Sequence, residues 1–305
     1  MDRLLNDRTR KTRTHSMVLT TQQQTSILQL ILALFKTAPG AMNLTILGSQ
    51  LNNGQSLADL AQSLAQSALF FDKHYPAQLS HAEFAASFIN DLIGSRASES
   101  NKNLLIDFIA RKQANSASQG EIIAEVTGAL SSVSFADPNW GKASRHYNTY
   151  NVSRVVNHLF DNTFSPANKA VVVDHMLTQI SAGKTFGDMV VWAIDTVAGV
   201  DRDNVVWGNA AMLLNNRTEV ARYYSIDRAG IAIDRAVLQK ILAKVTVDAR
   251  TIVTAKAAID DLLSDGGASS GHATGDFRFD EVLKTQKRTA SSMPQEKTQP
   301  AELMT

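Results

Sequence analysis

The chain has 305 residues, 44% of them hydrophobic and 7% aromatic, with a formal net charge of +1. That length and apolar content support one large domain or two smaller ones, and a near-neutral charge argues against a dedicated nucleic-acid binder, which carries a basic face. The absence of cysteine removes disulfides, thiolate metal sites and a cysteine nucleophile.

Abundant Ala, Leu, Ser, Asn and Gln with only 6 prolines favour helices over strands. No apolar run reaches the roughly 18 residues of a membrane-spanning helix. The longest, Ile27 to Phe35, ends at Lys36 and Pro39 and reads as a buried helix.

Residues 1–20 read as a disordered extension without the apolar stretch of a secretory signal. Its Arg3, Arg8, Arg10, Lys11 and Arg13 are solvated charges, and Met17 is an alternative start. The first helix begins after Thr20 or Thr21, whose hydroxyls cap free N–H groups, and turns Ile27, Leu28, Leu30, Ile31 and Leu34 inward. Pro39 and Gly40 break it. A second helix buries Leu44, Ile46, Leu47 and Leu51 and stops at Asn53-Gly54. A third starts at Ser56, with Asp59 completing a capping box.

This three-helix pattern spans Thr25 to Phe71, with weaker echoes over Phe88 to Val133 and Val155 to Val200. The glycines closing the middle segments, Gly54, Gly120 and Gly183, lie 66 and 63 residues apart. Thr185 with Asp188 repeats the capping pair of the first copy, and Ser118 with Glu121 gives a looser version. Repeated packing units predict a scaffold or binding surface. Between copies two and three, Ser134 to Asn151 reads as one long polar loop. Asn204 to Asp227 and Asp234 to Leu263 read as closing helices, and from Ser264 onward a linker and disordered tail should contribute nothing to a core.

At the repeats, and at Thr20-Thr21-Gln22-Gln23-Gln24-Thr25-Ser26-Ile27-Leu28, the chain resembles a helical repeat domain of bacterial S-layer-like and hemolysin-type calcium-binding surface proteins. Asn216, Glu219, Val220, Tyr223 and Tyr224 match that family's closing phrase, with Arg217 in place of Lys. The resemblance covers about Met17 to Leu263. It implies an exported, surface-associated protein leaving by a C-terminal signal, in a family where some members attach to lipopolysaccharide. The family's Gly-Arg-x-Pro-Asp loop is degenerate here, and its calcium-binding glycine nonapeptides are absent.

Trp140, His146, Tyr147 and Tyr150 are the ligand-binding candidates, since aromatics on a loop can stack on a sugar ring. Asp201, Asp203 and Asn204 carry the oxygen donors calcium prefers, but Val206 and Met212 occupy the places an EF-hand gives to Gly and Glu. The competing reading is an N-cap cluster ahead of the next helix. His158 and His175, beside Asp161 and Asp174, lack the i, i+4 spacing of a metal pair. Ser269 in a Gly-x-Ser-x-Gly string has no strand before it, and Ser181 with Lys184 reads as a helix junction.

The expected fold is all-α: stacked three-helix repeats of about 60 residues over residues 21–263, in one elongated domain with disordered ends (1–20 and 264–305). The expected role is a non-enzymatic, secreted or cell-surface structural protein. It would contact cell-surface glycan, lipopolysaccharide or itself, with calcium as the candidate ion. The alternatives are an intracellular helical adaptor, or an enzyme with its site near Trp140 to His158.

Overall fold

The structure, a computed structural model, describes residues 19–73, 75–76, 78–230, 235–264 and 279. Short polar caps cut the sequence into helices, and no strand occurs among the described residues. Thr20 caps α1 (Thr21–Phe35) in a box with Gln23. Gly40, at φ +75°, opens α2 (Gly40–Asn52) directly after the Pro39 break. Ser56 and Asp59 box the start of α3 (Leu57–Ala65), which a break at Gln66 and Ser67 separates from the short α4 (Ala68–Phe71).

Boxes at Ser80–Glu83 and Ser118–Glu121 start α5 (His81–Leu92) and α7 (Gln119–Ser132), and Ser98 caps α6 (Glu99–Ala114) between them. Then follow α8 (Gly141–Phe160), α9 (Pro166–Ser181) and α10 (Phe186–Ala198), the last boxed by Thr185–Asp188. Five such boxes reflect one physical need: each helix start leaves N–H groups that only a side chain or water can satisfy.

The chain closes with α11 (Gly208–Arg222), a π-helical turn at Tyr223–Asp227, α12 (Arg235–Ala243) and α13 (Arg250–Ser264). The long closing helix expected from Asp234 is thus two helices. The interruption at residues 244–249 is held from outside, where the Asn216 amide donates to the carbonyls of Thr246 (2.8 Å) and Val247 (3.2 Å).

Two cores form. The larger surrounds α1, whose residues from Ile27 to Phe35 are all buried except Gln29. It gathers α2, α3, the second half of α8 and α9 to α13. The smaller joins α5, α6, α7 and the start of α8 around Phe84, Phe88, Ile122 and Trp140. Helix α8 spans both, with Ala143 and Tyr147 in one and Val152 to Phe160 in the other.

The first of the three segments picked out in sequence holds four helices (α1 to α4) and the other two hold three each, and their pairing is not serial. Helix α3 packs more extensively on α10 than on any other helix, and α1 packs on α8. The first and third segments therefore share the larger core, while the second has its own and meets the third through α7 and α8. At Gly187 α10 comes tightly against α3: an added Cβ would fall 2.1 Å from the Ala58 carbonyl oxygen. Only glycine lets the α10 start touch the α3 backbone.

No single helix among the described residues is long and apolar enough to cross a membrane. Helices α1 and α2 have the composition together but bend by 111° at the Pro39 break, and α1 is buried. The basic start and Ser269 lie outside the described residues. Within the tail, the expectation of no core contribution is overturned at Phe279, which is buried among α1 and α2 residues because its ring is large, apolar and matched by Phe35.

Candidate functional site

The expected loop at Ser134 to Asn151 is mostly helix. A turn through Asp137 leads at once into α8, so His146, Tyr147 and Tyr150 sit on helical turns. The polar composition that suggested a loop is instead a helix whose polar groups are paired internally. Ser144 donates to the Val133 carbonyl (2.7 Å), and the Asn148 amide donates to Ser131 (3.2 Å) and Ser144 (3.0 Å) carbonyls.

The four ligand-binding candidates do not face one way. Trp140 and Tyr147 are buried in the smaller core. Burial pushes the Tyr147 hydroxyl pKa up, against the hydrogen bonds from Thr127 and Asn151 and the charge of Arg154. His146 and Tyr150 are exposed, one helical turn apart on the opposite side, with Tyr150 58% accessible. His146 and His158 lie twelve residues apart on α8, about 18 Å along the axis, one exposed and one half-buried.

Where the ends of α1 and α8 meet α11, half-buried charged groups gather around the buried Arg217. Lys36 caps α1 in a left-handed conformation (φ 52°), and Asp161 ends α8 at φ 42°, ψ −121°. Asp161 accepts from Lys36 Nζ at 3.1 Å and from Arg217 Nη2 at 2.6 Å. Arg217, 4% exposed, also donates through Nη1 to the His158 carbonyl at 3.2 Å. The carboxylate lies below its usual pKa range: burial pushes it up, but the hydrogen bonds and charges of Arg217 and Lys36 outweigh burial.

The His158 ring donates from Nδ1 to the Ala33 carbonyl at 2.9 Å, the direction a carbonyl partner requires. Burial lowers its pKa to about 4, opposed by the Ala33 bond and reinforced by the charges of Arg154, Lys36 and Arg217. The Arg154 guanidinium lies over the Phe70 ring, 3.7 Å from its centroid, and donates to the Phe70 carbonyl at 2.6 Å. These groups tie α8 to α1, α4 and α11, so at neutral pH His158 is an uncharged tether between helices. His175 is exposed and packs its ring on Trp192, with centroids 4.6 Å apart.

Asp201 and Asn204 serve as turn and helix-start acceptors. Asp201 Oδ1 takes the Asp203 N–H (3.0 Å), and Asn204 Oδ1 takes those of Val206 (3.0 Å) and Trp207 (2.9 Å). Asp203 is exposed beside them. Among the described residues no group of three or more His, Asp or Glu is placed to hold a metal ion. Ser181 and Lys184 flank Gly183 at the α9–α10 junction.

The phrase from Asn216 to Tyr224 acts as a staple. Beyond Asn216 and Arg217, Glu219 pairs with Lys256 (2.8 Å), Val220 enters the core and Tyr223 donates to the Asp260 carboxylate at 2.7 Å. Tyr224 packs against Gly230, where a Cβ would fall 2.1 Å from the Tyr224 ring. Gly230 in turn accepts the Ala41 N–H at 2.9 Å, and Ser225 accepts that of Gly40 at 3.0 Å. A π-helical turn, a feature common at sites under special constraint, thereby seats the start of α2. Its long-range partners gave no local signal in sequence.

Set against known proteins, the chain matches no protein family, no curated protein and no solved structure.

Proposed function

We propose that this chain is a non-enzymatic structural or attachment protein of the bacterial surface, working through its helical faces on cell-surface glycan or on copies of itself. The observation that carries the reading is the use made of His158, Asp161 and Arg217. The groups best suited by type to chemistry bridge helix ends instead, with the His158 Nδ1 and the Asp161 carboxylate engaged by other helices. Apolar side chains meanwhile stand outward, including Val205 at 98% exposure, Val171, Val253 and Leu104. Apolar side chains exposed singly are ordinary on a protein surface, so these residues do not by themselves mark an interface. The family resemblance supplies the surface location, and the loop at Asp201 to Asn204 is where calcium enters the proposal.

The test is fractionation of the native cells with and without a calcium chelator. Protein in the envelope fraction that chelator releases is the expected result. Protein wholly in the cytosol, with no affinity for isolated envelope, would contradict the proposal.

A further inference from the structure

Helix α8 carries Lys142, Arg145 and Arg154, and no Asp or Glu between Gly141 and Phe160. Lys142, Arg145, His146 and Tyr150 are all exposed, at steps of three or four residues that place them on one helix face. Arg96, in the turn between α5 and α6, stands beside that face: the His146 pKa is lowered first by burial and then by the Arg96 charge. Among the described residues Arg96, Lys142 and Arg145 have no carboxylate partner. Arg154 closes the row about 18 Å from Lys142 along the axis. Its guanidinium lies 5.9 Å from the Tyr150 ring centroid. The acid whose charge reaches Arg154 is Asp72, which is already paired with Arg235.

Packing does not require this face to be open or cationic. Helix α11 starts by the same Trp-Gly step 67 residues later. There the counterparts of His146 and Tyr150 are Leu213 and Arg217, both buried. On α8 the matching positions face solvent.

Uncompensated cations gathered in one place create a local positive field that attracts anions, even on a chain whose net charge is only +1. Tyr150, exposed among them, adds an amphipathic ring face on which a sugar can pack. A nucleic-acid strand would call for a series of stacking aromatics and a broader basic surface.

We propose that the exposed face of α8 from Lys142 to Tyr150, with Arg96 beside it, binds an acidic polysaccharide, the cations taking its carboxylates and Tyr150 packing on a sugar ring. This rests on the glycan-contact reading above and gives it a surface and a class of glycan. The full chain is titrated with alginate, a linear polyuronate, at low ionic strength, with dextran, polyglutamate and duplex DNA in parallel, and is also mixed with isolated envelope. Alginate binding that weakens as salt is added is expected. Lys142→Ala with Arg145→Ala should lower the affinity about tenfold, and Tyr150→Ala about fivefold. These side chains are exposed, so unfolding midpoints should match the wild type. No alginate binding, or equal binding by the Lys142/Arg145 variant, overturns the proposal. Dextran bound as tightly as alginate overturns the role of the cations. Polyglutamate or DNA bound as tightly as alginate, or an affinity indifferent to Tyr150→Ala, overturns the glycan assignment. A chain that binds envelope but not alginate overturns this proposal alone, and one that binds neither overturns the reading beneath it as well.

Discussion

Asp137 and Asn204 perform the same task 67 residues apart. Asp137 Oδ1 accepts the N–H groups of Asn139 (2.8 Å) and Trp140 (2.7 Å), and Asn204 Oδ1 accepts those of Val206 (3.0 Å) and Trp207 (2.9 Å). A glycine follows each tryptophan at a place where a Cβ would strike the preceding turn. It would lie 2.5 Å from the Phe135 carbonyl oxygen at Gly141, and 2.1 Å from that of Arg202 at Gly208. Helices α8 and α11 thus begin by one device, whose spacing is close to that of the repeated glycines.

Removing either acceptor leaves two N–H groups without their partner, so Asp137→Ala and Asn204→Ala should each cost about 1 kcal/mol, as for other helix-start caps. Asn204→Asp, which keeps the acceptor, should be near neutral. Chemical denaturation of the three variants checks this. Equal stability of Asn204→Ala and wild type would remove the capping role and return Asn204 to the ion-binding reading.

Asp161 compensates a buried cation, and that sets the order of two substitutions. Asp161→Asn leaves Arg217 in the interior without its counter-charge, and breaking a buried pair from one side typically costs about 3–5 kcal/mol. Partial exposure of Asp161 reduces this to about 2 kcal/mol. Replacing both, in Asp161→Asn with Arg217→Met, removes the orphaned charge and should recover part of the loss. Urea midpoints of the single and double variants decide it. A double variant no better than the sum of its singles would mean the pair is not coupled.

The elements legible in the sequence are those written by local chemistry. Thr20 with Gln23, Ser56 with Asp59, Ser118 with Glu121 and Thr185 with Asp188 announce helix starts because each satisfies its own N–H groups within three residues. Pro39-Gly40 and Gly54 likewise mark breaks on their own. Helix α8 was hidden because Ser144, Asn148 and Asn151 are buried polar residues whose partners lie elsewhere in the fold or one turn back, so its pattern looks like a loop. The break after Ala243 depends on Asn216, and the burial of Phe279 depends on Asn43, neither of which a local window contains. The direct packing of the first segment on the third is similarly a property of Gly187 against Ala58, two residues unremarkable in their own neighbourhoods.

That contact makes Gly187 a sensitive position. Besides the approach to Ala58, its N–H donates to the Gln62 side chain at 2.9 Å. Gly187→Ala should force α10 away from α3 and cost about 2–3 kcal/mol, the upper range for overpacking against rigid backbone. Gly54→Ala is the control, because nothing lies within 4 Å of its Cβ and only its φ of +92° resists the change; a cost of about 1 kcal/mol is expected there. Thermal unfolding of the pair tests the ranking, and a Gly187→Ala protein as stable as Gly54→Ala would show that the α3–α10 contact yields easily.

His158 predicts how stability falls in mild acid. Its folded pKa is about 4, depressed first by burial, against 6.5 for the free side chain. Between those values the unfolded chain takes up a proton that the folded chain refuses, so acid favours unfolding there. Stability should be flat with respect to this group above pH 6.5, decline through the window down to about pH 4, and not change further below it. The full shift corresponds to about 3 kcal/mol. Asp161 and Asp188 have depressed carboxyl pKa values, and their stabilisation is lost at lower pH, as each is protonated in the folded state. The two effects separate by mutation: His158→Gln removes the titration while leaving an amide able to donate to the Ala33 carbonyl, so it should lower stability at pH 7 yet flatten the profile between pH 6.5 and 4. Urea midpoints across that range, wild type against variant, make the comparison. An unchanged slope in the variant would mean that some other group carries the acid sensitivity.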